Sequence, residues 1–144
     1  MIDKSGKWWK GTAASDLEVY LADYTEDGYV ASRFTRAKCS CGGETFIVDA
    51  DDTEGAASRT CVACEQTSFI ADSAEYWSEA EPDRCACPCG AEEMNVCLGF
   101  AMRDDGNDVR WIYLGLRCTK CGVLGCYADW KVSYSPSLHL LEQA

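Results

Sequence analysis

Eight of the eleven cysteines fall into four tight pairs, Cys39-x-Cys41, Cys61-x-x-Cys64, Cys87-x-Cys89 and Cys118-x-x-Cys121. Thiolates are soft metal ligands, and two pairs carried on two turns can converge to place four sulfurs around one ion. Zinc favours that tetrahedral sulfur environment, and four protein sulfurs close it to water. The candidate ligands of one structural Zn²⁺ are therefore Cys39, Cys41, Cys61 and Cys64. Those of a second are Cys87, Cys89, Cys118 and Cys121.

The two sets belong to an internal repeat. Gly42 follows Cys41 as Gly90 follows Cys89, and Glu44 corresponds to Glu92. Phe46 and Val48 correspond to Met94 and Val96, apolar at alternate positions as in a half-buried strand. Ala71-Asp72 lies as far beyond Cys64 as Ala128-Asp129 lies beyond Cys121. The offset is 48 residues from Cys39 to Cys87 and 57 from Cys61 to Cys118, so the later copy holds nine extra residues. They surround RDDGND, a hairpin-turn sequence between MNVCLGFAM and VRWIYLGLRC. A hairpin tip is where extra length leaves both strand ends in place. Each copy thus reads as a C-x-C-G turn, a strand, a turn, a strand, a C-x-x-C turn and a third strand. Glycine after the second cysteine suits a turn that requires positive φ.

With these residues in place, the chain resembles a tandem pair of zinc ribbons, from Cys39 to about Trp77 and from Cys87 to about Tyr134. The resemblance implies two three-stranded antiparallel units in a small, metal-stabilised, mainly β protein. The first knuckle of each copy is C-x-C-G, one residue shorter than the commonest ribbon. That shortening also argues against rubredoxin-like iron, which uses two C-x-x-C knuckles. Such small units bury too little apolar surface to fold alone, and a structural zinc adds on the order of 10 kcal/mol. The expected organisation is an N-terminal helix and lead-in strand over 1–38, a first ribbon over 39–80, a second over 85–134, and a tail over 135–144.

A disulfide framework is the competing reading of so many cysteines. The odd count of 11 and the lack of an apolar leader in MIDKSGKWWKGTAASDLEVY favour metal and a cytoplasmic location. No run approaches the ~18 apolar residues that cross a bilayer. Of the cysteines outside the tetrads, Cys126 aligns with Phe69 and reads as a small buried residue. Cys97 alternates away from Met94, Val96 and Leu98, toward solvent or the other ribbon. Cys85 overlaps the second knuckle in CACPC, and no base stands nearby to make it a nucleophile.

In the flanks, Ser15-Asp-Leu-Glu18 matches a capping box, with Ser15 as N-cap of a helix from about Asp16 to Tyr24. Its Leu17, Tyr20, Leu21 and Tyr24 face is expected to pack on the first ribbon. YVASRFTRAK alternates as a strand leading into Cys39. Lys4, Lys7, Lys10, Trp8 and Trp9 form a basic-aromatic edge with a tryptophan anchor. The segment ADSAEYWSEAEPDR reads as a short helix and linker, and DADDTEG as a solvated hairpin turn rather than a calcium loop. In the tail, Leu138, Leu140 and Leu141 are expected to dock, with His139 an ordinary edge histidine.

Charge bears most on function. The formal net charge is −11, from 13 Lys+Arg against 24 Asp+Glu. Two Zn²⁺ sites of four thiolates each add −2, so the loaded chain carries about −15. Phosphate-backbone binding depends on positive charge, so a general affinity for nucleic acid is not expected. No phosphate loop, no Ser/His/Asp set and no open metal site is present, so no catalytic residue is assigned. The expectation is a non-enzymatic protein-binding module with another, basic, protein as partner: an inhibitor or immunity-type protein, or an adaptor. The alternative is a nucleic-acid-associated factor of transcription or translation, using Arg33, Arg36 and Lys38 or the first ten residues. Two ribbons in tandem would bury a sheet face between them and widen the recognition surface.

Overall fold

Strict alternation along MNVCLGFAM and VRWIYLGLRC sends Val96, Leu98, Phe100, Ile112, Leu114 and Leu116 to one face of a long hairpin. Cys97, Ala101 and Tyr113 go to the other face, and both faces are buried. This hairpin organises the molecule. The computed structural model describes residues 2–144. Its strands, in chain order, are β1 (Ile2–Asp3), β2 (Lys10–Gly11), β3 (Arg33–Arg36), β4 (Phe46–Asp51), β5 (Ala56–Cys61), β6 (Thr67–Phe69), β7 (Asp83–Arg84), β8 (Glu93–Met102), β9 (Val109–Cys118) and β10 (Leu124–Lys131). The single α-helix among the described residues, α1 (Asp16–Tyr24), lies between β2 and β3. No helix is long and apolar enough to cross a membrane among them.

The chain is mainly β, and each half contributes a three-stranded antiparallel unit, β4-β5-β6 and β8-β9-β10. The segments 39–80 and 85–134 share one eight-stranded sheet, whose main path runs β10-β9-β8-β4-β5-β6. The order is a palindrome of third, second and first strands. At its centre β4 pairs antiparallel with β8 through Phe46↔Met94, which are themselves equivalent residues of the repeat. The halves are therefore related by a local pseudo-two-fold axis through that pair, the arrangement of an isologous dimer. The symmetry reaches further upstream than the cysteines. β3 leads into Cys39 but pairs with β8, while β7 leads into Cys87 but pairs with β4. Ala37 donates to the Val96 carbonyl at 2.8 Å, and Cys85 donates to the Val48 carbonyl at 2.9 Å. Each half thus lends its lead-in strand to the other.

The sheet folds over so that the inner faces of both halves meet in one core containing Phe46, Val48, Ile70, Met94, Leu98, Phe100, Ile112 and Leu114. The β4–β5 tip closes against β10, where a Cβ on Gly55 (φ +77°) would lie 2.7 Å from Trp130 Cβ. Buried Asp72 accepts hydrogen bonds from Trp130 Nε1 at 3.2 Å and Tyr134 Oη at 2.5 Å. The tail adds a 3₁₀ turn, Leu138–Glu142. It buries Leu140 and part of Leu141 but leaves Leu138, at the start of the turn, exposed.

Several flank expectations change. Helix α1 packs on β8, β9 and β10, in the second half, not on the first. The cause is a glycine floor: a Cβ on Gly115 would meet Leu21 at 2.9 Å and one on Gly99 at 3.2 Å, so only glycine lets Leu21 seat. Cys97, beneath the helix, is fully buried rather than solvent-facing. Tyr24 is half exposed and stacks on Tyr20. Ser15 has helical dihedrals and makes no side-chain cap hydrogen bond, because Ala13 and Ala14 already start the first turn. The Asp16 carboxylate instead accepts the amides of Thr12 (2.8 Å) and Ala13 (3.2 Å). The segment before Cys85 forms two 3₁₀ turns, Ser73–Glu75 and Trp77–Glu79, and then strand β7, in place of a helix and free linker.

Candidate metal centres

Each centre is built from two turns at one end of a hairpin. In the first, the Cys39 amide donates to the Gly43 carbonyl and the Gly42 amide to the Cys39 carbonyl, both at 2.8 Å. In the second, Cys87 pairs with Ala91 and Gly90 with Cys87, again at 2.8 Å. Gly42 and Gly90 have φ of +94° and +93°, which explains their place after the second cysteine. The facing turns match as closely. Cys61 and Cys118 donate to the carbonyls of Gln66 (2.9 Å) and Val123 (3.0 Å), while Glu65 and Gly122 donate back to them at 2.8 Å.

These turns bring all four sulfurs of each set within 4.8 Å of one another. The closest approaches are 3.4 Å for Cys39–Cys64, 3.6 Å for Cys41–Cys61, 3.4 Å for Cys87–Cys121 and 3.7 Å for Cys89–Cys118. Sulfurs at 2.3 Å from a tetrahedral zinc stand about 3.8 Å apart, whereas a disulfide would hold two of them at about 2.05 Å. The spacing fits a shared ion, and each group could hold one metal. Backbone amides supply the outer support. The Cys41 amide, with the Cys64 thiol, holds the Cys39 thiol down at about 6. The Ala91 amide, with the Cys87 thiol, holds Cys89 down at about 7. Amides aimed at sulfur stabilise the thiolate that a metal needs.

The three remaining cysteines stand apart. Burial pushes the thiols of Cys85, Cys97 and Cys126 up to about 12 each, so they stay protonated. Cys85 occupies the core position that Ala37 fills in the first half, as their matching backbone bonds show. Cys126 is half-buried, with its Sγ 3.5 Å from the Ala128 carbonyl. His139 lies on the exposed 3₁₀ turn of the tail, in neither sulfur group. The Asp49–Glu54 run ends β4 and enters the β4–β5 turn, where Asp51 accepts the amides of Thr53 and Glu54.

The centres differ in their cover. The N-terminal arm crosses the second one: Lys10 bridges Val123, Gly11 donates to the Gly122 carbonyl, and Leu124 donates to the Trp9 carbonyl, both at 2.8 Å. Trp9 anchors the arm edge-on against Tyr20, with Lys4 over its ring at 4.4 Å. In the first centre the counterpart of Gly122 is Glu65, held at φ +65°. A non-glycine residue there costs about 1–2 kcal/mol, part of which is offset by the glycine's greater freedom when unfolded. Glu65→Gly is therefore expected to raise stability by about 0.5–1 kcal/mol, read as a higher urea midpoint of the metal-loaded protein. An unchanged or lower midpoint would show that the strain is relieved elsewhere.

No protein-family model matches the chain, and no curated protein or solved structure matches it either. Its class rests on the molecule itself. Among the described residues it is a mainly β protein with one short helix and two four-cysteine groups, each able to hold a metal ion.

Proposed function

We propose that the chain is a tandem zinc ribbon whose two Zn²⁺ ions are structural, and that it works as a non-enzymatic protein-binding module. The supporting observation is the closed sulfur sphere. Each group supplies four sulfurs at tetrahedral spacing, backed by amides, which leaves a zinc no open position for water or substrate. The ions then act as staples, and the joined sheet gives one rigid body with acidic character, net −11 before metal. Such a body suits a basic partner, as an inhibitor or immunity-type protein over a basic active site, or as an adaptor. Arg33 and Arg36 stand exposed on β3 and supply the competing nucleic-acid reading.

Native mass spectrometry of the protein purified from its host tests this. The expected species carries two zincs and one co-purified protein, and association with that protein slows as salt is added. Co-purified RNA or DNA that disappears when Arg33 and Arg36 become Ala would replace the reading. A salt-independent on-rate would remove electrostatic steering from it.

A further inference from the structure

The nine residues that lengthen the second hairpin do more than extend two strands. They carry the chain through Arg103 to Arg110, and these two arginines border a cleft of ≈ 420 Å³ at the far end of β8 and β9, away from Cys118. Lys131 and Val132, at the end of β10, form its second side, and Tyr29 and Trp111 form an aromatic wall. The volume lies within the range of small-molecule sites, about 300–1,000 Å³. Three cations meeting in one cleft are out of character for a chain with 24 acids against 13 Lys+Arg.

Their own pairing leaves charge to spare. Arg103 donates Nη2 to the Val132 carbonyl at 3.3 Å, but its Nε is buried with no hydrogen-bond partner among the described residues. A buried guanidinium N–H without an acceptor is costly and uncommon. Arg110 lies over the Tyr29 ring at 5.0 Å, and its ion pair is a 4.0 Å contact to Asp104, which is almost wholly exposed and so weak. Of the neighbouring acids, Asp108 accepts hydrogen bonds from the Ser137 amide (2.9 Å) and hydroxyl (3.1 Å), and Asp129 accepts one from Trp111 Nε1 at 2.9 Å. That bond holds the indole beside Tyr29, with ring centroids 5.6 Å apart. Guanidinium forks match phosphate oxygens, a lysine at the rim adds a point charge, and aromatic rings accept a base by stacking.

The geometry points to a binding site for a mononucleotide. Its phosphate lies against Arg103 and Arg110 with Lys131 at the rim, and its base lies along Trp111 and Tyr29. A phosphate monoester brings a charge of about −1.5 to −2, which matches the unpaired positive charge of the cleft. The site includes none of the residues of either sulfur group, so it stands or falls independently of the protein-binding reading. The free nucleotide is favoured over a polymer. A strand brings several phosphates into the field of a chain at −11, whereas a mononucleotide brings one, and the cleft's cations stand against it.

The test is calorimetric titration of the metal-loaded full chain with adenosine 5′-monophosphate, inorganic phosphate, adenosine and a short 5′-phosphorylated single strand. The Arg103 Nε–H resonance is followed in parallel. Adenosine monophosphate is expected to bind tightest and to shift that resonance. Arg110→Gln should weaken it about tenfold, the loss of one charge-assisted contact, and Lys131→Gln less. Both side chains lie outside the core, so retention of two metals certifies the folded variants. Absence of binding, or equal affinity in wild type and both variants, overturns the site. Phosphate binding as tightly as the nucleotide overturns the role of the aromatic wall. Tighter binding of the single strand overturns the free nucleotide as the occupant.

Discussion

A chain carrying Cys118→Ser is expected to retain one equivalent of metal instead of two, and to lose near-ultraviolet dichroism from its buried Trp130. Cys118 is almost fully buried, sits at the end of β9, and approaches Cys89 Sγ at 3.7 Å. A serine hydroxyl is a poor replacement for a thiolate, so the second ion is released. Structural zinc contributes on the order of 10 kcal/mol, comparable to the whole stability of a domain of this size. The core does not divide between the halves, so the damage spreads beyond β8–β10. The first sulfur group, local to the turns around Cys39 and Cys61, retains its own ion. Cys126→Ser is the control. Its thiol is not in either group, and the change is expected to leave both metals bound at a cost of about 1 kcal/mol or less. Metal counting by mass spectrometry separates the two. Equal loss from both variants would show that the ligand sets are misassigned.

The second large effect is expected at the pseudo-two-fold axis. Phe46 is fully buried, faces Met94 across the β4–β8 pairing, and has the Arg59 guanidinium over its ring at 4.5 Å. Phe46→Ala should cost about 3–5 kcal/mol, the usual range for a large aromatic removed from a core. The form of the loss matters more than its size. Because each half lends a strand to the other, unfolding should remain one cooperative transition moved to lower denaturant. Both metals should then become available to a chromophoric chelator together. Two resolved denaturant transitions, each releasing one metal, would show that the two halves unfold as independent domains.

What was legible in the sequence was local. The knuckles and strand alternation depend on residues within a few positions of one another, so the eight clustered cysteines and the long hairpin could be read directly. The pairing of β3 with β8 could not. It joins Arg36 to Cys97 across 60 residues of chain, and in the lead-in segments TRA and DRC only Arg36 and Arg84 are identical. The seat of α1 was open for the same reason, since Leu17 and Leu21 would suit either sheet. A signal was available in Gly99 and Gly115, two glycines within otherwise apolar strands, which mark a close approach. The cationic cleft was hidden because Tyr29, Arg103, Arg110 and Lys131 meet only when the hairpin, β10 and the segment after α1 come together. The sequence signal for it was the nine-residue difference between the copies.

Glu65 has a consequence for how copies of this chain behave in a crowd. Each molecule has one N-terminal arm and two edge strands, β6 and β10, that follow equivalent knuckles of the repeat, and an arm able to pair with either edge would link copies by exchange of arms. At the second edge the arm's Gly11 carbonyl passes so near Gly122 that a Cβ there would lie 2.6 Å from it. Glu65 puts a real Cβ, and a charge, at the corresponding place on the other edge. An arm laid along that edge in the same way would meet the Glu65 side chain, so the residue works against pairing there. The glycine that would relieve the strain at Glu65 would also remove that obstruction.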